Sequence, residues 1–259
     1  SKLRRWSEDA LPVARLTLAK PYGHFWTHWD VRGNVVSTNN EIRLTPAVKG
    51  VSGAIWSKTP LAMGGFSVEA DFRFASKDEM HADLPIIRFV DQPSHGPTYG
   101  ISSNFTGIGV GTVRENVVVC STFCRLGIVG SDGTTPHTMD SNGKEVMLSK
   151  CEVPDMVNVG KYRMKMGATI RVYIEYLGNI IRVYYKYPDS KKWKFCASCN
   201  VHIPLAYSMG LSASTGELSS HHEFLALRVF EIPIDALIDE TRSTDKLSFP
   251  KAIPWETRQ

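Results

Sequence analysis

The sequence predicts an all-β protein, an antiparallel β-sandwich of two sheets. Apolar and polar residues alternate without a break over residues 66–74, the period of a strand with one buried face. Residues 169–176 and 180–187 alternate in the same way on either side of Gly178-Asn179, a pair that tolerates positive φ and suits a tight hairpin. Gly, Pro and Asn turns recur at short, fairly regular spacing, which is typical of sandwiches.

Other strand-like segments lie between these turns. They cover residues 41–44, 54–56, 84–90, 107–113, 117–123 and 207–213. The last predicted strand covers residues 222–232 and should place Phe224 and Arg228 on the face opposite to Leu227.

The end of the chain has a different character. Pro233 suits the first position of a helix, so one short C-terminal helix is predicted over residues 233–240. Beyond it the sequence is polar and contains further prolines. We therefore expect one domain over residues 1–240 and a polar tail or linker over residues 241–259.

Composition excludes several classes of protein. The chain has 259 residues, of which 42% are hydrophobic and 22% charged, so it is not an intrinsically disordered protein. Its net charge of +4 is too small and too dispersed to indicate a nucleic-acid partner. No apolar run approaches the roughly 20 residues of a transmembrane helix.

An acidic pair raises the question of an enzyme. Glu69 and Asp71 share one face of a predicted strand, as catalytic acids do in some sandwich glycoside hydrolases. The next residue on that face is Arg73, which cannot replace a third carboxylic acid. The pattern favours a solvated polar face, and no enzyme activity is predicted.

Five cysteines leave at least one thiol without an intramolecular partner. A four-sulfur zinc site is one interpretation, built from Cys120, Cys124, Cys196 and Cys199, but the first spacing is loose. Disulfides plus buried thiols are the favoured alternative.

Two adjacent histidines offer no better metal site. His221 and His222 precede or begin a strand, where neighbouring side chains point to opposite faces, so a surface or loop role is expected. The sequence also lacks EF-hand, P-loop, nucleophile-elbow and His-Glu-x-x-His patterns.

Two further features bear on a binding function. Asn104-Phe105-Thr106 is a glycosylation sequon in a predicted loop, so Asn104 is a candidate acceptor and weakly favours a secretory location. Tryptophan rings stack on sugars, yet Trp26, Trp29 and Trp56 are expected mainly in the core.

Nine short segments, in order over residues 20–232, resemble the L-type (leguminous-type) lectin domain of cargo receptors in the early secretory pathway, the intermediate-compartment mannose lectin and vesicular integral membrane lectin family. The segments include Phe25-Trp26, Gly53-Ala-Ile-Trp-Ser57, Ala82-Asp83-Leu84, Gly96-Pro-Thr-Tyr-Gly100, Trp193-Lys-Phe-Cys196 and Gly210-Leu-Ser-Ala-Ser-Thr-Gly-Glu-Leu-Ser219.

The resemblance implies a legume-lectin-like (concanavalin-like) jelly roll and a disulfide between Cys151 and Cys196. Such a bridge fits an oxidising lumen. The expected location is the lumen of the endoplasmic reticulum, the intermediate compartment or the Golgi, with a membrane anchor outside this fragment. If a second bridge joins Cys120 to Cys124, Cys199 is left as the free thiol.

The same resemblance implies a sugar site. Asp83 matches the family aspartate that accepts hydrogen bonds from mannose hydroxyls. Gly216, Glu217 and Leu218 match the loop whose backbone N–H groups face the sugar. This sequence departs from the pattern at Leu84, which replaces a glycine, and at Ala54, which replaces a serine and loses one hydroxyl contact.

The family's calcium loop is altered more severely. The family's calcium positions fall at Val113, Asn116 and Asn142. Asn116 supplies a ligand or a sugar contact only if the loop is one residue shorter, and Asn142 replaces a calcium-binding aspartate. Met139 replaces the sugar-binding histidine, and His137 and Asp140 compensate only if the register shifts. Because calcium affinity depends on the number of carboxylates, no metal is expected at this position and no other cofactor is indicated.

Two functions follow from the resemblance. The first is a luminal glycan-binding module that recognises high-mannose N-glycans on cargo glycoproteins weakly, or in an altered and calcium-independent way. The alternative is a degenerate lectin-fold domain that binds protein partners of the receptor and no sugar.

Overall fold

The computed structural model describes residues 10–75, 85–113, 124–133, 147–153, 168–188, 190–216 and 221–233. Within these residues, fifteen strands form two antiparallel sheets, accompanied by two short 3-10 segments at Ala14–Leu16 and Tyr22–Thr27. The predicted all-β sandwich is therefore confirmed. None of the described helices is long and apolar enough to cross a membrane.

One sheet has eight strands. In spatial order they are β13 (Lys194–Asn200), β12 (Ile180–Lys186), β11 (Ala168–Leu177), β6 (Phe66–Ala75), β15 (His221–Glu231), β4 (Ile42–Thr45) and β3 (Val36–Ser37), with β1 (Leu11–Pro12) also pairing with β15.

The other sheet has seven strands. In spatial order they are β10 (Met147–Val153), β9 (Cys124–Asp132), β8 (Thr106–Val113), β7 (Ile86–Val90), β14 (Ser208–Ser214), β5 (Ser52–Ser57) and β2 (Trp29–Gly33).

A single large core lies between the inward faces of the two sheets. Val68, Phe72 and Ile174 from the eight-stranded sheet belong to the same buried cluster as Phe89 and Leu211 from the seven-stranded sheet. Alternation along β6 and β11 supplies these side chains, because every second residue of a strand points to one face. Burial of this apolar surface is the main force that holds the sheets together.

The hairpin between β11 and β12 confirms the turn prediction. Gly178 and Asn179 both have positive φ, at 58° and 61°, which matches the twist of the flanking strands. Seven consecutive residue pairs continue in register from this turn, from Leu177 opposite Ile180 to Arg171 opposite Lys186.

The predicted facing of β15 is wrong at its first half. Phe224 is fully buried together with Leu227, whereas the intervening Leu225 and Ala226 are partly exposed. A register shift between Phe224 and Ala226 against β6 inserts one residue and changes the alternation. The backbone carbonyl of Leu225 accepts a hydrogen bond from the hydroxyl of Tyr22, which holds the irregular segment.

The zinc interpretation is wrong, because Cys196 is already bonded to Cys151 in a disulfide. Cys199 is a free, buried cysteine, and burial raises the pKa of its thiol to about 12. Cys120 and the side chain of Cys124 lie outside the described residues, so their bridge stays a prediction. The predicted strand over 117–123, the predicted helix over 233–240 apart from Pro233, and the tail lie outside them as well.

Candidate carbohydrate-binding site

The start of β7, the end of β8 and the end of β14 lie at the same end of the seven-stranded sheet. Ile86 at the start of β7 pairs with Ser212 near the end of β14. Ile87 pairs with Val110, three residues before β8 ends. Antiparallel pairing thus brings the points where the chain enters β7 and leaves β8 and β14 to one end of the sheet, along the strand direction.

The segments next to these points carry the residues that the resemblance assigned to the sugar site. Asp83 precedes the described residue Pro85 by two positions, and Asn116 follows Val113 by three. Asp83, Asn116, Glu217 and Leu218 themselves lie outside the described residues, as do Asn142 and Met139. The sheet register therefore supports a shared site, while the contacts of these side chains stay predictions.

Gly216 is described, and the residue before it is firmly held. The N–H of Thr215 donates to the carbonyl of Val51 at 2.8 Å, and its hydroxyl donates to the carbonyl of Val48 at 2.5 Å. The N–H of Gly50 donates to the carbonyl of Thr215 at 3.1 Å. Gly216 itself is exposed, and a Cβ added there would meet nothing within 4 Å. Thr215 is thus held by backbone hydrogen bonds, and the backbone of Gly216 next to it is open to solvent.

The connection between β7 and β8 folds back over the outer face of the seven-stranded sheet. Its residues Ile101 and Phe105 form a buried cluster with Ala54, Trp56 and Val90. The indole N–H of Trp56 donates to the carbonyl of Ser94 at 2.8 Å and fixes the connection in place.

The tip of this connection reaches the end of the sheet at which β7 begins and β14 ends. Gly100 has a φ of +88°, and an added Cβ would lie 2.7 Å from the backbone of Ala213 and 2.8 Å from the carbonyl oxygen of Gly53. Tyr99 also has positive φ, at 49°, and clusters with Ile86 and Val129. If the candidate site lies at this end of the sheet, this close contact of backbones would form one wall of it.

Ala54 has no access to a bound sugar in this arrangement. It is 0% exposed and shares a buried cluster with Ile101 and Phe105, so a serine at this position of the chain would place its hydroxyl among apolar side chains. The expectation that Ala54 loses a hydroxyl contact to sugar is therefore corrected: the side chain at this position packs against the connection.

Arg88 was not predicted and lies next to the candidate site. It is 1% exposed, its Nε donates to the Ser212 hydroxyl at 3.2 Å, and its guanidinium lies 5.0 Å from the centre of the Phe105 ring. The signal in the sequence was a charged residue inside the apolar run 86–90. Ser212 pairs with Ile86 at the end of the sheet where β7 begins, so Arg88 places a buried cation near this end.

A second polar pair also escaped prediction. The imidazole Nε2 of His95 lies 2.9 Å from the hydroxyl of Ser52, the first residue of β5. Ser52 is opposite Ser214, the last residue of β14, so this pair lies at the same end of the sheet as Gly216. It adds hydrogen-bonding groups to the rim of the candidate site.

Calcium fits the described part of the site poorly. Val113 is the last residue of β8 and its backbone pairs with Arg125 of β9. A valine offers no side-chain oxygen, whereas calcium takes six to eight oxygen ligands. Among the described residues there is no group of three or more His, Cys, Asp or Glu that could hold a metal ion.

The remaining candidates have structural roles. Glu69 and Asp71 form ion pairs with Arg171 and Arg228 on the outer face of the eight-stranded sheet, so they are the polar face that was favoured. These ion pairs give both carboxylates a structural role on the face of the sheet.

The tryptophans and histidines divide between the core and the surface. Trp29 and Trp56 are buried, as expected, whereas Trp26 is 46% exposed. The surface role predicted for both histidines is wrong for His222, which is fully buried with its Nδ1 2.6 Å from the Thr45 hydroxyl. A register shift at His222 against β4 accompanies this inward position. Asn104 is exposed, as an acceptor of a glycan must be.

Known proteins resemble this chain over most of its length. The model of the legume-like lectin family matches residues 14–236. Human ERGIC-53 is 27% identical over 221 residues, which cover 80% of this chain and 40% of that protein. Human VIP36 is 24% identical over 234 residues, which cover 86% of this chain and 64% of that protein. The chain therefore spans only part of these relatives.

Solved structures share the fold. The exoplasmic/lumenal domain of VIP36 in its Ca²⁺-bound form superposes with a TM-score of 0.74 at 23% identity, covering 86% of this chain and 92% of that one. A legume lectin-like domain from Entamoeba histolytica gives a TM-score of 0.68 at 18% identity, covering 85% and 97%. The predicted family and jelly-roll fold are confirmed, and with them a binding protein in place of an enzyme. The chain belongs to the legume-like lectin family.

Proposed function

We propose that this chain is the luminal glycan-binding module of a secretory-pathway cargo receptor. In this proposal it recognises high-mannose N-glycans on cargo glycoproteins weakly and without calcium. The observation that carries the proposal is the register of the seven-stranded sheet. It gathers the segments next to Asp83, Asn116 and Gly216 at one end, in a chain of a lectin family.

The roles of these residues follow from their chemistry. The Asp83 carboxylate accepts hydrogen bonds from two adjacent sugar hydroxyls, because an ionised carboxylate is an acceptor only. Backbone N–H groups of the segment from Gly216 to Leu218 donate to the sugar, and Asn116 supplies an amide that both donates and accepts. Arg88, through Ser212, and the His95–Ser52 pair add polar groups at the same end of the sheet.

Weak binding and independence from calcium rest on the composition of the loops. VIP36 has been solved in forms bound to both Ca²⁺ and mannose. In this chain Val113, at the end of β8, cannot supply a carboxylate to such an ion. Without a metal to fix the loops, their ordering opposes sugar binding through its entropy cost.

Titration calorimetry with mannobiose and with a high-mannose glycan tests the proposal, in calcium and in EDTA. We expect weak affinity, with Kd on the order of 1 mM, that is equal in both buffers. Tighter binding in calcium would contradict the metal-independent mode. Asp83→Asn should lower the affinity at least about tenfold, because it loses charge-assisted hydrogen bonds.

A matched glycine pair sharpens the test. Gly216→Ala has space in the free protein and should fold normally, yet its methyl group intrudes where sugar approaches the backbone. We expect it to weaken binding several-fold. Gly64→Ala also meets nothing within 4 Å and serves as the control that changes neither stability nor affinity. Equal binding by wild type and Gly216→Ala would remove this loop from the site.

The second candidate function is a lectin-fold domain that binds protein partners and no sugar. It is favoured by the loss of several site residues together, at Leu84, Val113 and Met139. If the protein binds no glycan on a diverse array, and its cooperative unfolding shows that it is folded, this function is selected over the first.

A luminal location and a membrane anchor outside the fragment belong to the same proposal. The Cys151–Cys196 disulfide supports an oxidising compartment, namely the endoplasmic reticulum, the intermediate compartment or the Golgi. Expression of the full-length protein with an epitope tag, followed by protease protection of sealed microsomes, tests this. A domain that is digested without detergent would contradict the luminal assignment.

A further inference from the structure

The outer face of the eight-stranded sheet ends in a group of aromatic rings. Tyr173, Tyr184 and Phe195 lie directly opposite one another on β11, β12 and β13. Their ring centres are 6.0 Å apart for Tyr173 and Tyr184 and 5.5 Å apart for Tyr184 and Phe195. Trp193 adds a fourth ring 5.6 Å from Tyr173. These four residues are termed the aromatic ridge.

The ridge is open to solvent at the edge of the sheet. Phe195 is 58% exposed, and Tyr173, Tyr184 and Trp193 are partly exposed. Contiguous exposed aromatic groups are unusual on a monomeric surface and mark sites of protein association. They are also the residue types that dominate binding energy at interfaces.

The orientation of the rings favours a protein ligand over a sugar. Neighbouring rings are inclined by 50° to 72°, so they do not form a flat platform on which a glycan chain could stack. One face of Trp193 is covered by Lys186, whose Nζ lies 4.6 Å from the ring centre. An uneven surface of inclined rings suits the side chains of a polypeptide better than the flat face of a sugar.

The charge around the ridge is positive. Residues 186–194 contain four lysines and one aspartate, so they hold most of the net charge of +4. Lys191 and Lys192 are exposed in the loop that leads to Trp193. Within the described part of the chain, Lys186, Lys191 and Lys192 take part in no ion pair with a carboxylate.

The rest of the outer face is balanced. Arg43 and Arg73 pair with Glu41 and Glu223. Nearer the ridge, Arg182 pairs with Glu175 at 2.9 Å. The positive charge at the ridge is therefore a local feature of this edge and not of the whole sheet.

We propose that the aromatic ridge is a docking surface for a protein partner whose exposed aromatic or long aliphatic side chain is flanked by carboxylates. The apolar side chain packs over the exposed rings of Phe195, Tyr184 and Trp193, and the carboxylates face Lys186, Lys191 and Lys192. A second copy of this chain fits less well, because a twofold contact would place the lysines of the two copies against one another.

The surface belongs to the sheet opposite the candidate sugar site, so the two ligands do not compete. This proposal is independent of sugar binding, and it holds for either candidate function. It assigns a role to a basic, aromatic segment that the lectin fold alone leaves without one.

Selection from a displayed library of random peptides tests the proposal on the intact, disulfide-bonded chain. Peptides are selected on wild type and depleted on Phe195→Ser, a change at an exposed position that preserves the core. We expect the enriched peptides to carry an aromatic or long aliphatic residue next to Asp or Glu. Failure to enrich any peptide over the depleted background would overturn the proposal.

The enriched peptides are then synthesised with a fluorophore and titrated by anisotropy. Phe195→Ser should weaken binding at least about tenfold, as expected for an interface anchor. Lys192→Glu should weaken it several-fold and reduce the dependence on salt. Leu205→Ser, which removes an equally exposed apolar side chain outside the ridge, is the matched control and should bind like wild type.

Two results would contradict the assignment. Equal binding to wild type and Phe195→Ser would show that the peptides bind elsewhere. The second result is a wild-type dimer in light scattering that is lost in Phe195→Ser. That result would assign the ridge to a second copy of this chain and overturn the proposal of an acidic protein partner.

Discussion

Cys151 on β10 and Cys196 on β13 are joined by a disulfide that connects an outer strand of one sheet to an outer strand of the other. The bridge was implied only by family resemblance, and the structure confirms it. Beside it, the N–H of Ser198 on β13 donates to the hydroxyl of Ser149 on β10 at 3.3 Å. The two sheets are thus linked covalently at the side of the sandwich that lies next to the aromatic ridge.

Removal of this link should destabilise the fold measurably. The bridge closes a sequence separation of 45 residues, and loops of this length favour the folded state by about 2–4 kcal/mol through the entropy of the unfolded chain. We expect Cys151→Ala with Cys196→Ala to lower the free energy of unfolding by that amount in urea titrations. Cys199→Val, a change of similar volume at the free buried thiol, is the control, and an equal loss there would contradict the assignment of the effect to the bridge.

A carboxylate between two arginines predicts acid sensitivity. Glu223 accepts a hydrogen bond from Arg43 at 2.7 Å and from Arg73 at 2.6 Å. Burial alone would raise the pKa of Glu223, but the hydrogen bonds and charges of Arg43 and Arg73 outweigh it, so the pKa is lowered. A lowered pKa contributes stability above the usual glutamate pKa of about 4.3, and that stability is lost as the pH falls through the folded value.

Glu223→Gln should therefore cost about 1–3 kcal/mol at pH 7, after allowance for the partial exposure of both arginines. Urea titrations from pH 7 to pH 3 should show the gap from wild type closing as wild-type Glu223 becomes protonated. Glu231→Gln on the same strand is the control. A gap that stays constant across this range would contradict the role of the Glu223 charge.

Local periodicity predicted the sandwich because strands such as β6 and β11 have one buried and one polar face. It failed where the backbone departs from regular pairing. The bulge at Leu225 reversed the facing of Phe224, and no residue type in that stretch signals an inserted position. Among the longer strands, β2, β9, β10 and β13 were not predicted. In β2 and β13 the burial of successive residues does not alternate cleanly.

The candidate site shows a similar division. Motifs of the resembling family assign Asp83 and Gly216 to the site, and this assignment stays a prediction. The contacts of Arg88 and Gly100 depend instead on how the connection after β7 folds over the sheet. Such contacts join residues far apart in sequence, so no local pattern reports them. One sign of Arg88 was visible in the sequence, a charged residue within an apolar strand. The structure shows that this residue is buried.

Asn104 should carry an N-linked glycan when the chain passes through the secretory pathway. The residue is exposed, while Phe105 beside it is buried and Thr106 begins β8. Expression in cultured animal cells behind a signal sequence should give a product whose mobility shifts on glycosidase treatment. Asn104→Gln should lack the shift, and Asn40→Gln, at an exposed asparagine outside any sequon, should retain it. A wild-type product that does not shift would refute the site.

The glycan at Asn104 should leave sugar binding unchanged. Asn104 precedes the start of β8, whereas the candidate site follows its end, and the eight residues of this strand separate them by roughly 23 Å. Calorimetry on glycosylated wild type and on Asn104→Gln should give equal affinities for mannobiose. A difference between them would mean that the glycan reaches the candidate site.

Restoration of the family serine at residue 54 should harm the protein without improving sugar binding. Ala54 is fully buried beneath Ile101 and Phe105, so the hydroxyl of Ala54→Ser would enter an apolar cluster. We expect a loss of about 1–2 kcal/mol in the free energy of unfolding, typical of a poorly compensated buried hydroxyl. Tighter binding of mannobiose by Ala54→Ser would contradict the burial of this position.

The contact of Gly100 with the sheet predicts that stability and sugar binding change together. Gly100→Ala forces a methyl group to within 2.8 Å of backbone atoms at Ala213 and Gly53, at a φ of +88° that alanine rarely adopts. The connection must then lift from the sheet end, and we expect a loss of about 2–4 kcal/mol in the free energy of unfolding. Because the same tip forms a wall of the candidate site, affinity for mannobiose should fall at temperatures where the variant is still folded. Gly64→Ala is the control for both measurements, and a destabilised Gly100→Ala that binds sugar like wild type would show that the wall takes no part in the site.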